Sequence, residues 1–248
     1  MSGHSKWSSI KHKKGRMDAQ RGKIFTKLIK EITVAARNGG GEPAANPRLR
    51  TAIQAAKDAN MPAENIDRAI KKGTGELPGV KYEEFTYEGY GPNGVAILVE
   101  TMSDNKNRTT ADLRHIFGRY RGRLGEAGCV AWIFELKGLI AVDQDRCNED
   151  TLYSLALEAG AEDIRPEDGS FEVITAPGDF EKVRQAIAEE GIEYIQAEIS
   201  KIPQRLVKLD GSEAQLTLRL VEALEEHDDV QKVYANFDID ESIMEQMG

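Results

Sequence analysis

The chain has 248 residues, of which 40% are hydrophobic and 30% charged, and its formal net charge is −9. This composition is ordinary for a soluble protein, and the length allows one large domain or two to three small ones. No apolar run reaches the roughly 20 residues of a membrane helix, and the N-terminus lacks the apolar core of a secretory signal. The two cysteines, Cys129 and Cys147, lack metal-ligand spacing and favour free thiols in a reducing, cytoplasmic setting.

The charge is divided unevenly along the sequence. Residues 1–80 contain 16 Lys and Arg against 7 Asp and Glu, a net charge of +9. The other 168 residues contain 17 against 35, a net charge of −18. Because an acidic body repels phosphate groups, we expect a polyanion to meet the N-terminal region first.

The N-terminal region is predicted to be a basic arm followed by a basic helix. Residues 1–16 have little apolar content beyond Trp7 and Ile10, so we expect a flexible arm. From Met17 to Arg37, apolar side chains recur with helical period and leave lysines on the other side. Planar groups among the charges suggest base stacking, although a solvated charged tail stays an alternative. The predicted nucleic-acid-binding residues here are Lys6, Trp7, Lys11, His12, Lys13, Lys14, Arg16, Arg21, Lys23, Lys27 and Lys30.

Two further helices are expected before the first strand. Asn46 and Pro47 are typical of a cap and a first helical residue, and Pro62 opens another short helix that Gly73 is expected to end. Together with the first helix they predict a small bundle followed by a Gly- and Pro-containing linker.

The remaining sequence alternates strands and helices. The order β-α-β-β-α-β after residue 135 is that of a ferredoxin-like unit. Strands at Phe85–Tyr90, Val95–Met102 and Cys129–Phe134, with a helix at Asn107–Tyr120, predict half of a second unit, and the segment after 204 predicts the other half. The predicted fold class is therefore α+β, with an N-terminal three-helix bundle followed by two ferredoxin-like (split βαβ) domains. The predicted domains are 1–16, the arm; 17–80, the bundle and linker; 81–135 plus 204–248, a discontinuous α+β domain; and 136–203, an inserted ferredoxin-like domain.

A second basic segment lies between a strand and a helix, where free backbone N–H groups favour an anion. Lys106 and Arg108 are the predicted phosphate-binding residues there, and Arg114, Arg119, Arg121 and Arg123 add positive charge against Asp104 and Asp112. The alternative is helix capping by Asp104 or Asn107 with ordinary surface arginines.

Catalytic and metal-binding patterns are not apparent. The four histidines lack metal or triad spacing, and the acidic run Glu225–Asp229 is interpreted as a solvated helix end. We expect no enzyme activity, no cofactor and no metal. A metal-dependent phosphodiesterase using Asp104 and a protein adaptor using the acidic domains stay open as alternatives.

Seven motifs resemble the YebC/PmpR family in order and spacing. They are GHSKW (3–7), IKHKK (10–14), DAQRGKIFTKLIKEI (18–32), NPRLRTAI (46–53), YEGYGPNG (87–94), SDNKNRT (103–109) and LGEAGCVAWIF (124–134). The resemblance implies the same three-domain arrangement. It also implies a DNA-binding transcriptional regulator, or, from the mitochondrial translational activators of cytochrome oxidase in that family, a ribosome-associated translation factor that contacts ribosomal RNA. We expect a monomer that binds nucleic acid. The resemblance adds the ribosome as a candidate partner, and we expect no membrane partner.

Overall fold

The computed structural model describes Trp7 and residues 17–167, 169–240 and 242–244, with the side chains of the first helix described from Gly22 onward. Two compact units are present. Trp132–Leu206 form one, here called the inserted unit, and Trp7–Ala131 with the chain from Val207 form the other, here called the main unit. The boundary between the helical bundle and the α+β domain within the main unit remains a prediction from the sequence.

Three helices form the N-terminal bundle of the main unit. They are α1 (Met17–Gly39), α2 (Pro47–Asp58) and α3 (Ala63–Thr74). Their shared core consists of small and branched apolar side chains: Ile32, Ala35, Ala36, Leu49, Ala52, Ala56, Met61, Ile66 and Ala69. Small residues on all three helices allow the helix axes to approach closely, which suits a bundle of short helices.

Asn46 closes the α1–α2 connection, as its predicted capping role requires. Its side-chain oxygen accepts the N–H of Leu49 at 3.1 Å, and its amide nitrogen donates to the carbonyls of Ala35 and Gly40, each at 2.8 Å. One buried side chain therefore satisfies the start of α2 and the end of α1 together.

Gly73 does not end the third helix, contrary to the sequence prediction. The helix continues to Thr74, and Gly75 follows in the left-handed conformation with φ +85°. Gly73 instead faces α1, where an added Cβ would lie 2.5 Å from the carbonyl oxygen of Thr33 and 2.8 Å from the Cβ of Ala36. Glycine is required at this position because two helix backbones meet there.

The α+β part of the main unit is built on four antiparallel strands. In sheet order they are β3 (Arg123–Leu124), β1 (Glu83–Tyr90), β2 (Ala96–Ser103) and β9 (Val230–Ala235). Helices α4 (Lys106–Arg119) and α7 (Gly211–Glu225) share a core with this sheet through Phe117, Leu218 and Val221. The order is ferredoxin-like, with β1 of the hairpin in the place of the third strand.

The strand before α7 does not enter that sheet, although the sequence suggested it. β8 (Val207–Leu209) pairs in parallel with β10 (Phe237–Ile239) in a separate two-stranded sheet. In the main sheet, β1 already occupies the place of the third strand of a ferredoxin-like unit, and its eight residues all pair with β2. The discontinuous half therefore contributes one helix and one strand, α7 and β9, to the main sheet.

The predicted strand Cys129–Phe134 is wrong for most of its length. The buried carboxylate of Glu88 accepts the N–H groups of Gly128, Val130 and Ala131 at 2.6 to 2.7 Å. Backbone groups held by a side chain are not available to a β-ladder, so the next strand starts only at Phe134.

The inserted unit has the predicted β-α-β-β-α-β order. Its elements are β4 (Phe134–Asp143), α5 (Glu149–Ala159), β5 (Ala161–Glu167), β6 (Ser170–Thr175), α6 (Phe180–Glu189) and β7 (Tyr194–Pro203). The antiparallel sheet has the order β5-β6-β4-β7, and both helices pack on it through Leu152, Val183 and Ile187. The predicted fold class, α+β with an N-terminal helical bundle and two α+β domains, is confirmed. No helix among the described residues combines the length and the apolar character of a membrane span.

Gly73→Ala is expected to lower the free energy of unfolding by about 1–3 kcal/mol, because the new methyl group overpacks the α1–α3 contact. Gly22→Ala is the matched control, since no described atom lies within 4 Å of its added Cβ. Gly22→Ala should raise the free energy of unfolding by up to about 1 kcal/mol, because alanine has a higher helix propensity than glycine. Urea unfolding followed by circular dichroism measures both, and equal effects of the two substitutions would contradict the close contact.

Candidate nucleic-acid interface

Three lysines of α1, Lys23, Lys27 and Lys30, form what we call the lysine stripe, which runs across the C-terminal end of α7. Lys23 is exposed, whereas the Nζ of Lys27 donates to the carbonyl of Glu225 at 2.6 Å. The last carbonyls of a helix lack intrahelical partners and carry the negative end of the helix dipole. The middle of the stripe therefore caps a helix of the same unit.

Lys30 is buried at the end of that stripe. Its side chain is 7% exposed, and its Nζ lies 2.6 Å from Oδ1 of Asp229. The same ammonium group donates to the carbonyls of Asp228 at 2.8 Å and Met102 at 3.3 Å. All three donors of the ammonium are thus used inside the protein.

The second oxygen of Asp229 accepts three further hydrogen bonds. Its Oδ2 lies 2.7 Å from Thr109 Oγ1, 3.0 Å from Ser103 Oγ and 3.0 Å from Arg108 Nη2. We call Lys30, Ser103, Arg108, Thr109 and Asp229 the Asp229 cluster. It joins α1 to β2, to the start of α4 and to the turn before β9.

Burial alone would raise the pKa of Asp229, but hydrogen bonds from Lys30, Arg108 and Thr109 outweigh it and hold that pKa well below its ordinary value. The pKa of Arg108 is raised by its hydrogen bonds to Asp229 and then Asp104, the latter at 2.7 Å. The carboxylate and the guanidinium are therefore both charged over the whole physiological range.

The N-cap of α4 is Asn105, whose side-chain oxygen accepts the N–H of Arg108 at 3.1 Å. The sequence analysis offered helix capping by Asp104 or Asn107 as an alternative. The helix is capped, but by Asn105, which lies between them in sequence. Asp104 pairs with Arg108 instead, so the segment Ser103–Thr109 serves mainly to bind its own chain.

Trp7 lies in the core of the main unit. Only 1% of its surface is exposed, and it belongs to the cluster of Ile97, Phe117, Leu218 and Val221. Its Nε1 is buried and has no hydrogen-bond acceptor in the described part of the chain. The expectation of an exposed tryptophan that stacks on a base is wrong, because apolar partners come from residues far away in sequence.

Two family models match nearly the whole chain. The TACO1/YebC protein N-terminal domain matches residues 5–76, and the TACO1/YebC second and third domain matches residues 82–237. The chain belongs to the TACO1/YebC family.

Relatives of this YebC-family protein match it over their full length. A protein of Syntrophus aciditrophicus is 60% identical over 100% of this chain and 99% of its own, and one of Dictyoglomus turgidum is 58% identical over 100% of both. Each is named "Probable transcriptional regulatory protein". The crystal structure of a conserved hypothetical protein, Aq1575 from Aquifex aeolicus, is 49% identical with a TM-score of 0.78, covering 91% of this chain and 93% of that one.

Apart from Trp7, the predicted site residues of the YebC-family protein separate into three groups. Lys6, Lys11, His12, Lys13, Lys14 and Arg16 lie outside the described residues, and Arg21 lies in α1 before the described side chains begin. Lys23 and Lys106 are exposed, with the Nζ of Lys106 5.2 Å from the ring centroid of Phe85. Lys27, Lys30 and Arg108 contact their own chain, and the burial of Lys30 corrects its prediction as a ligand-binding residue.

The sequence analysis did not identify the structural role of the acidic run before β9. Glu225–Asp229 does form a helix end and turn, but Asp229 is 3% exposed rather than solvated. His227 Nε2 lies 3.3 Å from Asp112 Oδ2, and its Nδ1 accepts the N–H of Asp229 at 3.1 Å. No group of three or more metal-ligating side chains occurs within the described ranges. The one available signal was the match between this acidic run and the lysine stripe.

Trp7→Ala is expected to lower the free energy of unfolding by about 3–5 kcal/mol, as for a large core side chain. Trp7→Phe should lower the free energy of unfolding by less, because it keeps an aromatic ring in the core and removes the buried N–H that has no acceptor among the described residues. Trp132→Ala is the matched control, since Trp132 is 66% exposed. In the Trp132→Phe variant, acrylamide should quench the remaining Trp7 emission poorly, and strong quenching would place Trp7 in water.

Asp229→Asn is expected to destabilise the protein at pH 7 by about 3–5 kcal/mol, because Lys30 becomes a buried cation without its carboxylate. Since the folded pKa of Asp229 is lowered, its contribution is full above the unfolded value of about 3.9 and declines as pH falls through the folded pKa. The stability difference between wild type and variant should therefore shrink below about pH 4.

Glu64→Gln provides the control for this charge change. Glu64 pairs with Arg68 at the surface with 83% of its side chain exposed, so its loss should cost less than about 1 kcal/mol. Urea unfolding at pH 3 to 8 measures all three proteins. An Asp229→Asn effect that is small or independent of pH would show that the cluster does not hold the unit together.

Proposed function

We propose that this YebC-family protein is a non-enzymatic regulator of gene expression that binds DNA through its N-terminal basic region. The division of charge carries the proposal, with +9 in residues 1–80 and −18 in the rest. The name "Probable transcriptional regulatory protein" given to relatives about 60% identical supports the regulatory role.

The bundle offers a positively charged outer surface to such a ligand. Its exposed basic residues include Lys23, Arg50, Lys57, Arg68, Lys71 and Lys72. Lys27 and Lys30, which the sequence placed in the same set, are left out because their ammonium groups are engaged inside the main unit. Phosphate contacts of this kind supply affinity and position rather than sequence readout.

The arm supplies the densest positive charge and remains part of the proposed interface. Lys6, Lys11, His12, Lys13, Lys14, Arg16 and Arg21 are the residues assigned to it. Because Trp7 is a core residue, removing residues 1–16 would disturb folding as well as charge. Charge-neutralising substitutions that leave Trp7 in place are the appropriate test.

DNA affinity should fall roughly 10³-fold between 50 and 200 mM salt if about six phosphate contacts form. The double variant Lys13→Gln with Lys14→Gln should reduce the slope of log K against log salt by about 2. The control Lys182→Gln with Lys208→Gln removes the same charge from exposed positions elsewhere and should leave the slope unchanged. Fluorescence anisotropy with labelled duplex DNA provides the measurement.

The same titration with ribosomal RNA separates the two roles that the family resemblance implies. Preference for duplex DNA at equal salt supports the transcriptional role, whereas binding only to ribosomal RNA would replace it with a translational one. Crosslinking in cells, followed by sequencing of the recovered DNA and RNA, identifies the physiological ligand. No binding to either polymer would reject the proposed function.

A further inference from the structure

The turn after α4 has an arginine where a glycine is usual. Arg121 follows the C-cap Tyr120 with φ +60°, a left-handed conformation. The N–H of Gly122 donates to the carbonyl of Phe117 at 2.8 Å, and the N–H of Arg121 to Gly118 at 3.3 Å. This is the Schellman pattern of helix termination, whose left-handed position is typically glycine because a Cβ is unfavourable there.

The neighbouring glycine does not relieve this strain. An added Cβ on Gly122 would lie 2.7 Å from the carbonyl oxygen of Tyr90, so that residue is glycine for steric reasons of its own. The backbone at position 121 would accept glycine, yet the chain places a long cationic side chain there, exposed to solvent. Backbone strain retained at an exposed charged residue points to a use for that side chain.

Two further arginines flank Arg121 and are held by aromatic rings. The guanidinium of Arg123 lies 5.1 Å from the ring centroid of Tyr90, its cross-strand partner, and that of Arg119 lies 5.8 Å from the centroid of Tyr120. Stacking on a ring limits the rotamers of a guanidinium but leaves its N–H edge free to donate. The hydroxyl of Tyr90 donates to the carbonyl of Cys129 at 3.0 Å, which fixes that ring in turn.

These three arginines differ from Arg108 at the other end of the helix. Within the described residues, no carboxylate lies within ion-pair distance of Arg119, Arg121 or Arg123, whereas Arg108 binds both Asp104 and Asp229. Residues 104–124 contain six Lys and Arg against two Asp, in a chain of net charge −9. Positive charge without a local counter-ion is therefore concentrated at this turn.

We propose that Arg119, Arg121 and Arg123 form a second binding surface for the phosphodiester backbone of the nucleic acid. This inference rests on the proposed function and moves the second contact from Lys106 and Arg108 to the other end of α4. Stacked guanidinium groups bind phosphate oxygens through paired N–H donors, a geometry that lysine does not provide.

Arg121→Gly separates folding from binding, because the substitution favours the left-handed backbone while it removes the charge. The melting temperature should stay the same or rise by up to about 4 °C. Affinity for DNA at 100 mM salt should fall roughly 5- to 10-fold, and the salt slope should decrease by about 0.9. Arg121→Lys retains the charge and should lose less affinity.

The double variant Arg119→Gln with Arg123→Gln provides a second measurement that does not alter the left-handed residue. Its salt slope should fall by about 1.8, against no change for Lys182→Gln with Lys208→Gln. Each variant is titrated as the full chain with labelled duplex DNA and with RNA of the same sequence.

The outcomes distinguish this inference from the proposed function. If Arg121→Gly and the double variant both bind within twofold of wild type, the second surface is rejected while the proposed function stands. If the wild-type chain binds neither polymer, both fail. Loss of affinity for one polymer only supports the surface and identifies that polymer as its ligand.

Discussion

The contact between Lys30 and Asp229 is the interaction on which the arrangement of the main unit depends. The two residues are 199 positions apart, and their charged atoms lie 2.6 Å from each other with almost no solvent exposure. Burying two charges is unfavourable unless every remaining donor and acceptor is satisfied. Here two carbonyls complete the shell of the ammonium, and Ser103, Thr109 and Arg108 complete that of the carboxylate. Such a cluster has one geometry of low energy, so it fixes how α1 sits on the sheet rather than merely adding stability.

This arrangement explains why a basic helix occurs beside an acidic α+β domain in one chain. Lys27 and Lys30 lie one helical turn apart on α1 and meet the carbonyls at the end of α7 and the turn that follows. Among the described lysines of α1, only Lys23 is exposed to solvent. The lysine pattern therefore serves two purposes along one helix, and its periodicity is the same for both.

Local patterns predicted local structure well. The Asn46–Pro47 cap, the β-α-β-β-α-β order of the inserted unit and most helix bounds follow from period, capping and turn chemistry, and each appears in the structure. The errors occur where a distant residue decides the outcome. Glu88 holds the N–H groups of a segment that looked like a strand, and the core that buries Trp7 is formed by residues from two distant segments, 87–117 and 209–244. Neither partner can be inferred from spacing alone.

The candidate site shows the same limit, and it also shows how structure refines a charge argument. The sequence analysis chose Lys106 and Arg108 for their position between a strand and a helix, yet a guanidinium that binds two carboxylates has little potential left for a phosphate. Arg121 was one of four arginines said to add positive charge there, and its left-handed backbone sets it apart from the other three. In an acidic chain, most cations are expected to find a carboxylate. The informative positions for a polyanion are therefore those where the fold keeps a cation away from acids and accepts backbone strain to do so.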